Sequence, residues 1–498
     1  MQTKTDVCLI LEGTYPYVPG GVSYWTHQLI RSLNEFTFSL AVILPDRDPS
    51  REYKYDLPPN VKGVQEIYLH DHELPTGCTS AKLKKEDWKD LDTFHQCPRH
   101  GQAFQALENL YKNFFNSKTR KFSPHLFADA KQSWQVLEEL YQQRAADESF
   151  IDYFWTFRFM HYPIFKIMSS DLPEAGVYHA LSTGYAGLLG ATAKLKYQRP
   201  LVLTEHGIYT RERRFEISRA DWIYEKTDDK IRIQRSQSRF KEIWNKMFGT
   251  LSEICYEYSD QIVTLFEGNK QHELKDGAPE EKISIIPNGI DFEAFSSVTK
   301  EPKKDPGQLI LGFMGRVVSI KDVKTFIRAC KAVSDIIPNL KVYLMGPIDE
   351  EPEYYQECVK LTEFLGISKL VEFTGKVPVR DYYRKIDILA LTSISEAQPL
   401  VILEANCVGI PVVATDVGAC RELLYGRTEE DIQLGKSGLV AGITNSEEIS
   451  KAIVKIWRSK DLRDQMGQAG RERVKRYYNR KDLDNRYRGI YNHHLKVS

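Results

Sequence analysis

The chain has 498 residues, 42% of them hydrophobic and 27% charged, which is enough for two or three globular domains. Its 68 basic residues balance its 68 acidic residues, so no overall positive charge attracts nucleic acid. The eight cysteines lack the density and regular spacing of a secreted disulfide framework, which favours a reducing compartment. We therefore expect a cytoplasmic protein without a nucleic-acid partner.

Short runs rich in Val, Ile and Leu alternate with amphipathic segments of helical length along most of the chain. This alternation predicts an α/β fold with parallel sheets covered on both faces. In the first half the predicted strands are 7–11, 40–44, 64–69, 177–180, 201–204, 261–265 and 283–286. In the second half they are 309–314, 341–345, 371–374, 388–391 and 411–414. Two groups of strands predict two doubly wound domains.

A long aromatic-rich segment interrupts the first group of strands. Residues at about 74–170 have a helical composition, which predicts a helical insertion in the N-terminal domain. The charged, proline-containing segment 296–308 predicts a linker. We place the two domains at 1–300 and 301–475, and we expect the terminal helix, 476–498, to dock back on the first domain.

The loop after the first predicted strand ends in Gly20 and Gly21 and opens a helix. Glycines at this position let backbone N–H groups approach a ligand, and the N-terminus of a helix favours an anion. A tight strand-to-helix turn is the structural alternative. The loop does not contain Gly-x-Gly-x-x-Gly, so the dinucleotide fingerprint is absent.

A second candidate site opens the other domain. Gly315 and Arg316 follow the predicted strand 309–314, and Lys321 lies just before a predicted helix. Both cations are then expected at the carboxyl edge of the sheet, where open α/β folds bind ligands. Two cations there suit a pyrophosphate, whereas two solvated surface charges are the alternative.

Two glutamates eight positions apart accompany the start of a further predicted helix. Glu396 precedes the helix and Glu404 lies about one turn inside it. Pro399 fits the first helical position, and the free N–H groups of Leu400 and Val401 would then complete a phosphate cradle. Compensation of the helix dipole also explains Glu396, but Glu404 lies in an apolar run and needs water or a polar ligand.

Three motifs follow one another along the chain: the glycine loop, Gly315–Arg316 with Lys321, and the helix with Glu396 and Glu404. Their order and spacing resemble the retaining glycosyltransferases of family four. The resemblance covers most of the chain outside 74–170. It implies the GT-B fold, in which two Rossmann-like domains face a cleft and the C-terminal domain binds a nucleotide sugar. The opening loop, the Leu-Thr-Glu-His-Gly segment at 203–207 and the large insertion resemble the PelF-type enzymes of exopolysaccharide synthesis.

The resemblance assigns residues to a catalytic group and a nucleotide-sugar-binding group. His179 is added to the nucleotide-sugar-binding group because it lies at the end of a predicted strand. The catalytic group comprises Arg316, Lys321, Glu396 and His206. The nucleotide-sugar-binding group comprises Gly20, Gly21, Gly315, Gln398, Pro399, Leu400, Val401, Glu404, Gly346, Val377 and His179.

The resemblance also implies a role for several of these residues. Arg316 and Lys321 would neutralise the diphosphate. Glu404 would bind the ribose hydroxyls, Glu396 the hydroxyls of the donor sugar, and His206 would lie beside the anomeric region. The base would lie near Gly346 and Val377. Gln398 stands where the family more commonly has phenylalanine or glycine, so the sugar selectivity stays open.

The implied reaction transfers a hexose or N-acetylhexosamine from a UDP-sugar, of the UDP-glucose or UDP-N-acetylgalactosamine type, to a growing exopolysaccharide. The anomeric configuration is retained by front-face attack, and neither a metal nor a cofactor other than the donor is required. The implied partners are a saccharide acceptor and a membrane synthase complex, with recruitment to the inner face of the cell membrane.

Two other functions remain open at this point. One is a non-catalytic nucleotide-sugar-binding subunit of a polysaccharide synthase, which the intact Arg316, Lys321, Glu396 and Glu404 disfavour. The other is a glycogen-synthase-like or sucrose-type transferase, which the insertion and the missing starch-type lysine motif disfavour.

Two further features do not belong to these motifs. Histidines and cysteines crowd together at His70, His72, Cys78, His95, Cys97 and His100. Their spacing fits no standard zinc finger, so we expect no metal site. The basic run Arg211–Arg214, with Arg219, predicts either contact with an acidic acceptor or partner, or a solvated loop or helix start.

Overall fold

The computed structural model of the chain describes residues 4–70, 102–112, 131–220, 239–302 and 305–497. The chain divides into two compact units. Unit 1 comprises Met1–Thr264, Asn269–Ile285 and Tyr487–Ser498, and unit 2 comprises Leu265–Gly268 and Ile286–Arg486. Each unit is built around one parallel sheet, which confirms the predicted α/β class.

Unit 1 contains a seven-stranded parallel sheet with the strand order β3-β2-β1-β4-β5-β6-β7. Its strands are β1 (Thr5–Glu12), β2 (Phe38–Leu44), β3 (Val61–Tyr68), β4 (Ala175–Ala180), β5 (Leu201–Glu205), β6 (Gln261–Thr264) and β7 (Ile283–Ile285). The strands β2, β4 and β5 are buried along their whole length. Their apolar runs do not alternate because helices cover both faces of the sheet.

The helices of the first half of the chain include those of the predicted insertion. They are α1 (Gly21–Ser32), α2 (Gln102–Leu110), α3 (Lys131–Arg144), α4 (Phe150–Ser169), α5 (Tyr185–Tyr197), α6 (Tyr209–Arg219), α7 (Arg239–Tyr258) and α8 (Glu267–Lys275). The helices α2, α3 and α4 form the described part of the insertion. Their buried aromatic residues, such as Phe157 and Phe165, join the core of unit 1 rather than a separate core.

Unit 2 contains a six-stranded parallel sheet with the strand order β10-β9-β8-β11-β12-β13. Its strands are β8 (Leu309–Met314), β9 (Leu340–Met345), β10 (Val371–Gly375), β11 (Ile388–Leu391), β12 (Val412–Thr415) and β13 (Gly438–Ala441). Every strand predicted from the sequence is present. The strand β13 was not predicted, because only four residues that begin with glycine form it.

The helices of the second half follow along the chain, and only the first residues of the last one belong to unit 2. They are α9 (Phe292–Ser296), α10 (Val323–Ser334), α11 (Pro352–Phe364), α12 (Val379–Tyr383), α13 (Leu400–Val408), α14 (Cys420–Tyr425), α15 (Glu429–Ile432), α16 (Ser446–Arg458), α17 (Lys460–Tyr477) and α18 (Arg480–Val497). The strand order reverses between β8 and β11 in unit 2, and between β1 and β4 in unit 1. Ligands of open α/β sheets bind at such reversals, outside the carboxyl ends of the strands.

The boundary between the units differs from the predicted one at 300. Ile290 is buried, and Phe292 and Phe295 pack on the apolar cluster beneath α13. The main-chain N–H of Glu301 donates to the carbonyl oxygen of Arg384 at 2.9 Å. The first residues of the predicted linker 296–308 therefore belong to unit 2, because their apolar and main-chain groups are satisfied there.

The terminal helix α18 contributes to both units, whereas the sequence assigned it to the first domain. Its first residues, through Arg486, belong to unit 2, and those from Tyr487 onward belong to unit 1. In unit 1 the Tyr491 side chain is fully buried. The space beside Gly176 is filled by Leu495, since an added Cβ at Gly176 would lie 2.3 Å from that side chain.

Candidate functional site

The loops after β8 and β9 approach each other closely at the carboxyl edge of the sheet in unit 2. Gly346 has a φ of 145°, which side-chain-bearing residues rarely adopt. A Cβ on Gly346 would lie 2.0 Å from the carbonyl oxygen of Gly315. Glycine at 346 is therefore required for the backbone of Gly315 and Arg316 to occupy its position at this edge.

Arg316 lies at the surface of this edge. Its guanidinium forms an ion pair with the carboxylate of Glu350, and both side chains are half-exposed. An ion pair with this exposure contributes little to stability because water and salt screen it. A ligand with a higher negative charge is therefore able to replace Glu350.

The main chain at Lys321 is fixed by the end of the neighbouring strand. The hydroxyl of Thr392, directly after β11, donates to the carbonyl oxygens of Lys321 at 3.1 Å and Asp322 at 3.0 Å. Asp322 adopts the left-handed conformation, with φ 46°, and its carboxylate accepts from the N–H of Thr325 at 3.3 Å. These bonds position the lysine side chain at the reversal between β8 and β11.

Lys321 and Glu396 form an ion pair at this reversal. The lysine Nζ lies 2.5 Å from Oε1 of Glu396, and the two side chains are only 20% and 12% exposed. The hydroxyl of Ser393 donates to the same Oε1 at 2.6 Å. Within the described residues, Oε2 of Glu396 has no hydrogen-bond donor, so one carboxylate oxygen is held and the other is available for a ligand.

The loop that carries Glu396 is supported by a second loop. Gly418 has a φ of 50°, and a Cβ there would lie 2.2 Å from the carbonyl oxygen of Glu396. The N–H of Ala419 donates to the carbonyl oxygen of Ala397 at 2.8 Å. Glycine at 418 is therefore required for the two loops to pack at this distance.

Gln398 is buried, and both polar atoms of its amide contact Asn288. Its Oε1 accepts from the N–H of Asn288 at 2.7 Å, and its Nε2 donates to the carbonyl oxygen of Asn288 at 3.0 Å. The sequence placed Gln398 in the nucleotide-sugar-binding group. The structure gives the amide a structural role, and its contact with a nucleotide sugar stays a prediction.

The helix α13 begins at Leu400, so Pro399 is the residue that precedes the first turn and not the first helical residue as predicted. The first N–H groups of a helix have no partner within it. Ile402 donates to the carbonyl oxygen of Pro399 at 3.2 Å, whereas no acceptor for the N–H groups of Leu400 and Val401 is found among the described residues. Two donors at a positive helix end are thus available for an anion.

Glu404 lies one turn into α13 and is held by a buried tyrosine. The hydroxyl of Tyr383 donates to Oε2 of Glu404 at 2.8 Å. Burial raises the pKa of the Glu404 carboxyl, although Tyr383 and the nearby charge of Arg380 oppose this shift. Val377 packs on the same apolar cluster. The sequence predicted that Glu404 needs a polar partner because it lies in an apolar run. The hydroxyl of Tyr383 is one such partner.

The two glycines of the first loop occupy open space in unit 1. The helix α1 begins at Gly21, and Gly20 has the extended φ of 170°. A Cβ at either glycine would meet no atom within 4 Å. The surroundings of these two residues therefore do not require glycine, and their approach to a ligand stays a prediction.

His206 directly follows β5 and is 8% exposed. Its ring is inclined at 73° to that of Trp25, with 4.6 Å between the ring centroids. Its Nε2 is buried and has no hydrogen-bond partner among the described residues. Burial lowers the pKa of His206 to about 4, so the imidazole is neutral near pH 7.

His179 stays a predicted member of the nucleotide-sugar-binding group, but its ring is engaged within the protein. It lies inside β4 and is fully buried. Its Nδ1 is 2.7 Å from the hydroxyl of Tyr491, and its Nε2 is 2.8 Å from the hydroxyl of Thr204. Burial lowers the pKa of His179 to about 3. Nδ1 thus joins β4 to the terminal helix, and Nε2 joins β4 to β5 within the sheet.

Sequence reasoning missed two buried glutamates in unit 1. Glu205, at the end of β5, accepts from the N–H of Tyr209 at 2.9 Å and from the hydroxyl of Tyr256 at 2.7 Å. Glu273, on α8, is fully buried, and neither of its carboxylate oxygens has a hydrogen-bond partner among the described residues. Burial raises the pKa of Glu273 to about 7, and burial together with the charge of Glu273 raises that of Glu205.

Sequence reasoning also missed Ser393 and Glu12. Each lies at or just after the end of a strand beside a sheet reversal, so the rule that located Arg316 would also have located them. Glu12 accepts from the hydroxyl of Tyr209 at 2.8 Å and from Arg213 at 2.9 Å.

The predicted absence of a metal site concerns residues that are mostly not described. His72, Cys78, His95, Cys97 and His100 lie outside the described residues. In the part of the chain that the structure covers, no group of three or more acidic, histidine or cysteine side chains is arranged to hold a metal ion. The same part contains no helix with the length and apolarity that a membrane span requires.

Comparison with known proteins relates both halves of the chain to known families. Residues 5–281 match the family described as "Domain of unknown function (DUF3492)", and residues 296–473 match "Glycosyl transferases group 1". A D-inositol 3-phosphate glycosyltransferase of Kribbella flavida is 24% identical over 321 residues, which are 61% of this chain and 69% of that protein.

Two solved structures have a similar fold over nearly the whole chain. HepE from Anabaena, in complex with UDP, has a TM-score of 0.58 and 13% identity, and the alignment covers 98% of this chain and 99% of HepE. Sucrose-phosphate synthase from Thermosynechococcus elongatus has a TM-score of 0.58 and 14% identity, over 99% of this chain and 100% of that protein. These similarities confirm the expected two-domain GT-B fold. The chain belongs to the DUF3492 family, and its second half is a glycosyl transferases group 1 domain.

Proposed function

We propose that the protein is a retaining glycosyltransferase that transfers a hexose or N-acetylhexosamine from a UDP-sugar to a growing exopolysaccharide, without a metal ion. The donor is of the UDP-glucose or UDP-N-acetylgalactosamine type. One observation carries the proposal: Lys321 and Glu396 form an ion pair at the reversal between β8 and β11, and Glu396 lies in the loop that leads into α13. The UDP bound by the structurally similar HepE supports the choice of nucleotide.

The leaving diphosphate is where this site supplies the most stabilisation. Cleavage of the bond between the anomeric carbon and the phosphate oxygen leaves negative charge on the diphosphate and positive character on the sugar ring. Arg316, Lys321 and the N–H groups of Leu400 and Val401 supply fixed positive charge to the diphosphate. Groups that are already oriented toward developing charge contribute strongly, because they need no reorganisation during the reaction.

The donor sugar is held by the carboxylate of Glu396. Its Oε1 is fixed by Lys321 and Ser393, and its Oε2 accepts from a sugar hydroxyl. Lys321 then contacts both the carboxylate and the diphosphate. This holds the sugar and the leaving group in a fixed position relative to each other. Glu404 accepts from the ribose hydroxyls through the oxygen that Tyr383 does not use.

Retention is assigned to front-face attack, in which the leaving phosphate oxygen takes the proton of the acceptor hydroxyl as the new glycosidic bond forms. His206 acts as a neutral hydrogen-bonding and positioning group rather than as a general base, since its lowered pKa makes it a poor proton acceptor near pH 7. The saccharide acceptor and a membrane-bound synthase complex complete the proposal.

A turnover assay tests this proposal against a subunit that binds the donor without reacting. Lys321→Ala should lower kcat for UDP-sugar consumption roughly 10²–10³-fold, as expected for the loss of one oriented charge at a developing anion. The matched control is Lys341→Ala, which removes a partly exposed lysine paired with Glu372 at 2.7 Å in the same sheet.

The two outcomes separate the alternatives. Wild-type turnover in Lys321→Ala would refute the role of this lysine at the diphosphate. Melting temperatures measured with UDP, ADP and GDP identify the nucleotide, because a ligand that binds only the native protein raises the midpoint. Binding of a UDP-sugar without turnover by the wild-type protein would favour the non-catalytic subunit.

A further inference from the structure

A small cavity lies in unit 2, beside the end of α17 and the start of α18. Its volume is about 150 Å³, and the connection between α14 and α15 forms another of its walls. Every residue that lines it belongs to unit 2. Arg316, Lys321 and Glu396 are not among these described residues, so the cavity is separate from the proposed donor site.

Three arginines line the cavity, and one of them has no protein partner. They are Arg427, Arg476 and Arg486. Arg427 is half-buried, and its guanidinium forms no hydrogen bond or ion pair with any described residue. Arg476 pairs with Glu472 at the surface of α17, where water and salt screen the pair. Because guanidiniums bind phosphate and carboxylate groups through parallel hydrogen bonds, this wall favours an anion.

The buried acidic residues near Arg427 are engaged by other groups. Oδ1 of Asp431 is 2.6 Å from Nε of Arg473, and both of these side chains are buried. Oε1 of Glu422 accepts from the main-chain N–H of Glu267 at 3.0 Å. Neither carboxylate forms an ion pair with Arg427 in the described part of the chain, so this guanidinium keeps its charge for a ligand.

A buried hydroxyl lines the same cavity. Tyr478 is only 4% exposed, yet its hydroxyl has no hydrogen-bond partner among the described residues. Burial raises the pKa of Tyr478, whereas the charge of Arg427 opposes this shift, so the hydroxyl and the guanidinium are close enough to interact. A buried donor without a partner costs free energy that an acceptor on a ligand would recover.

The cavity also contains one unused acceptor. Asp482 lies in the first turn of α18, and its carboxylate has no partner among the described residues. An ionised carboxylate only accepts hydrogen bonds, so a ligand that uses it carries a donor. A phosphate group offers three strong acceptor oxygens to the arginines and to Tyr478, whereas a carboxylate offers two. A phosphate ester with a hydroxyl group supplies both the anion and the donor.

We infer that this cavity binds a small hydroxylated phosphate ester, with Arg427 and Tyr478 on the phosphate and Asp482 on a hydroxyl of the ligand. The inference goes beyond the proposed transfer reaction and depends on groups of unit 2 alone. It gives the protein a second anion site, distinct from the one that would hold the diphosphate of the donor.

Calorimetric titration of the full chain with glycerol 3-phosphate tests the inference, and inorganic phosphate is the second probe. The ester should bind more tightly, because its hydroxyls donate to Asp482. Arg427→Gln and Tyr478→Phe should each weaken the binding of both probes about tenfold, as expected for hydrogen bonds to a charged group. Asp482→Ala should weaken the binding of the ester about fivefold and should not weaken that of inorganic phosphate.

Each change has a matched control that removes the same kind of group elsewhere in unit 2. The controls are Arg328→Gln, Tyr355→Phe and Asp461→Ala. The side chains of Arg328 and Tyr355 have no hydrogen bond or ion pair among the described residues, as is true of Arg427 and Tyr478. Asp461 lies in the first turn of α17. The controls should bind both probes as the wild type does.

Saturating UDP separates this cavity from the proposed donor site. Glycerol 3-phosphate should still bind when UDP is present and when Lys321 is replaced by Ala. Loss of its binding in either case would place the probe at the donor site and overturn the inference. Normal UDP affinity in Arg427→Gln shows that the two sites fail independently.

Four other outcomes would also overturn the inference. They are the absence of saturable binding of either probe, unchanged affinity in Arg427→Gln and Tyr478→Phe, equal losses in the controls, and an equal effect of Asp482→Ala on both probes. Melting curves show that each variant is folded.

Discussion

The side-chain amide of Gln398 forms two hydrogen bonds with the main chain of Asn288, one to its N–H and one to its carbonyl oxygen. The two residues are 110 positions apart. The amide therefore ties the residues near the start of the longer segment of unit 2 to the loop that carries Glu396. A residue that departs from the family pattern thus serves the architecture of the site.

Gln398→Leu should destabilise unit 2 without changing the choice of sugar. The variant keeps the side-chain volume but leaves the N–H and carbonyl oxygen of Asn288 without partners, which costs about 2 kcal/mol in the free energy of unfolding. Chemical denaturation measures this cost, with the exposed Gln433→Leu as the control. An altered preference among UDP-sugars at unchanged stability would show that Gln398 contacts the sugar.

Ser393→Ala should lower kcat about tenfold and leave UDP affinity unchanged. The hydroxyl donates to Oε1 of Glu396, and the loss of one hydrogen bond to a charged group costs about 1.5 kcal/mol. Steady-state kinetics and calorimetric titration with UDP separate the two effects. The control is Ser450→Ala, since the hydroxyl of Ser450 donates to a main-chain carbonyl on α16. A weaker affinity for UDP with normal kcat would contradict this assignment.

Glu404→Gln should weaken UDP binding about tenfold while the protein remains at least as stable. A neutral amide accepts a weaker hydrogen bond from ribose than a carboxylate does, and it removes a charge whose burial raises the pKa. Calorimetry with UDP and thermal melting measure both quantities. Unchanged affinity would remove Glu404 from the nucleotide site.

Glu273→Gln should stabilise unit 1 at pH 8. The pKa of Glu273 is about 7 in the folded state, against roughly 4.3 in an unfolded chain, so the folded state binds a proton more tightly. The stability of the wild type should therefore fall as pH rises from about 4.5 to 7 and then level off.

In Glu273→Gln this fall should be reduced, and the gain at pH 8 should be on the order of 1–3 kcal/mol. Denaturant unfolding at a series of pH values measures it, with the half-exposed Glu372→Gln as the control. Parallel stability curves for the wild type and Glu273→Gln would show that this carboxyl does not titrate differently in the folded state.

The positions of most strands were predictable because they are apolar runs bounded by polar or turn-forming residues. The ends of those strands at the sheet reversals then located Arg316, Lys321 and Glu396. The same rule separates the two histidines: His206 lies after the end of β5, whereas His179 lies inside β4 and is buried. Applied strictly, it would have excluded His179 from the site.

Other features depend on contacts that no local pattern contains. One example is the pair of hydrogen bonds between Gln398 and Asn288. Another is the hydrogen bond from Ser393 to Glu396. Both depend on how the loops are arranged in the folded chain. The boundary between the units was misplaced for a similar reason, since α9 is short and its partners lie about a hundred residues further along the chain. Sequence spacing alone therefore located the charges of the site but not the groups that position them.

The hydrogen bond between His179 and Tyr491 joins residues 312 positions apart. Ribosomes make a protein from its N-terminus, and domains commonly fold in that order. Here Nδ1 of His179, inside the sheet of unit 1, lacks its partner until residue 491 has been translated. The sheet of unit 1 is thus made before unit 2 but completed after it, and a nascent chain stalled before residue 487 would leave His179 without its contacts to Tyr487 and Tyr491.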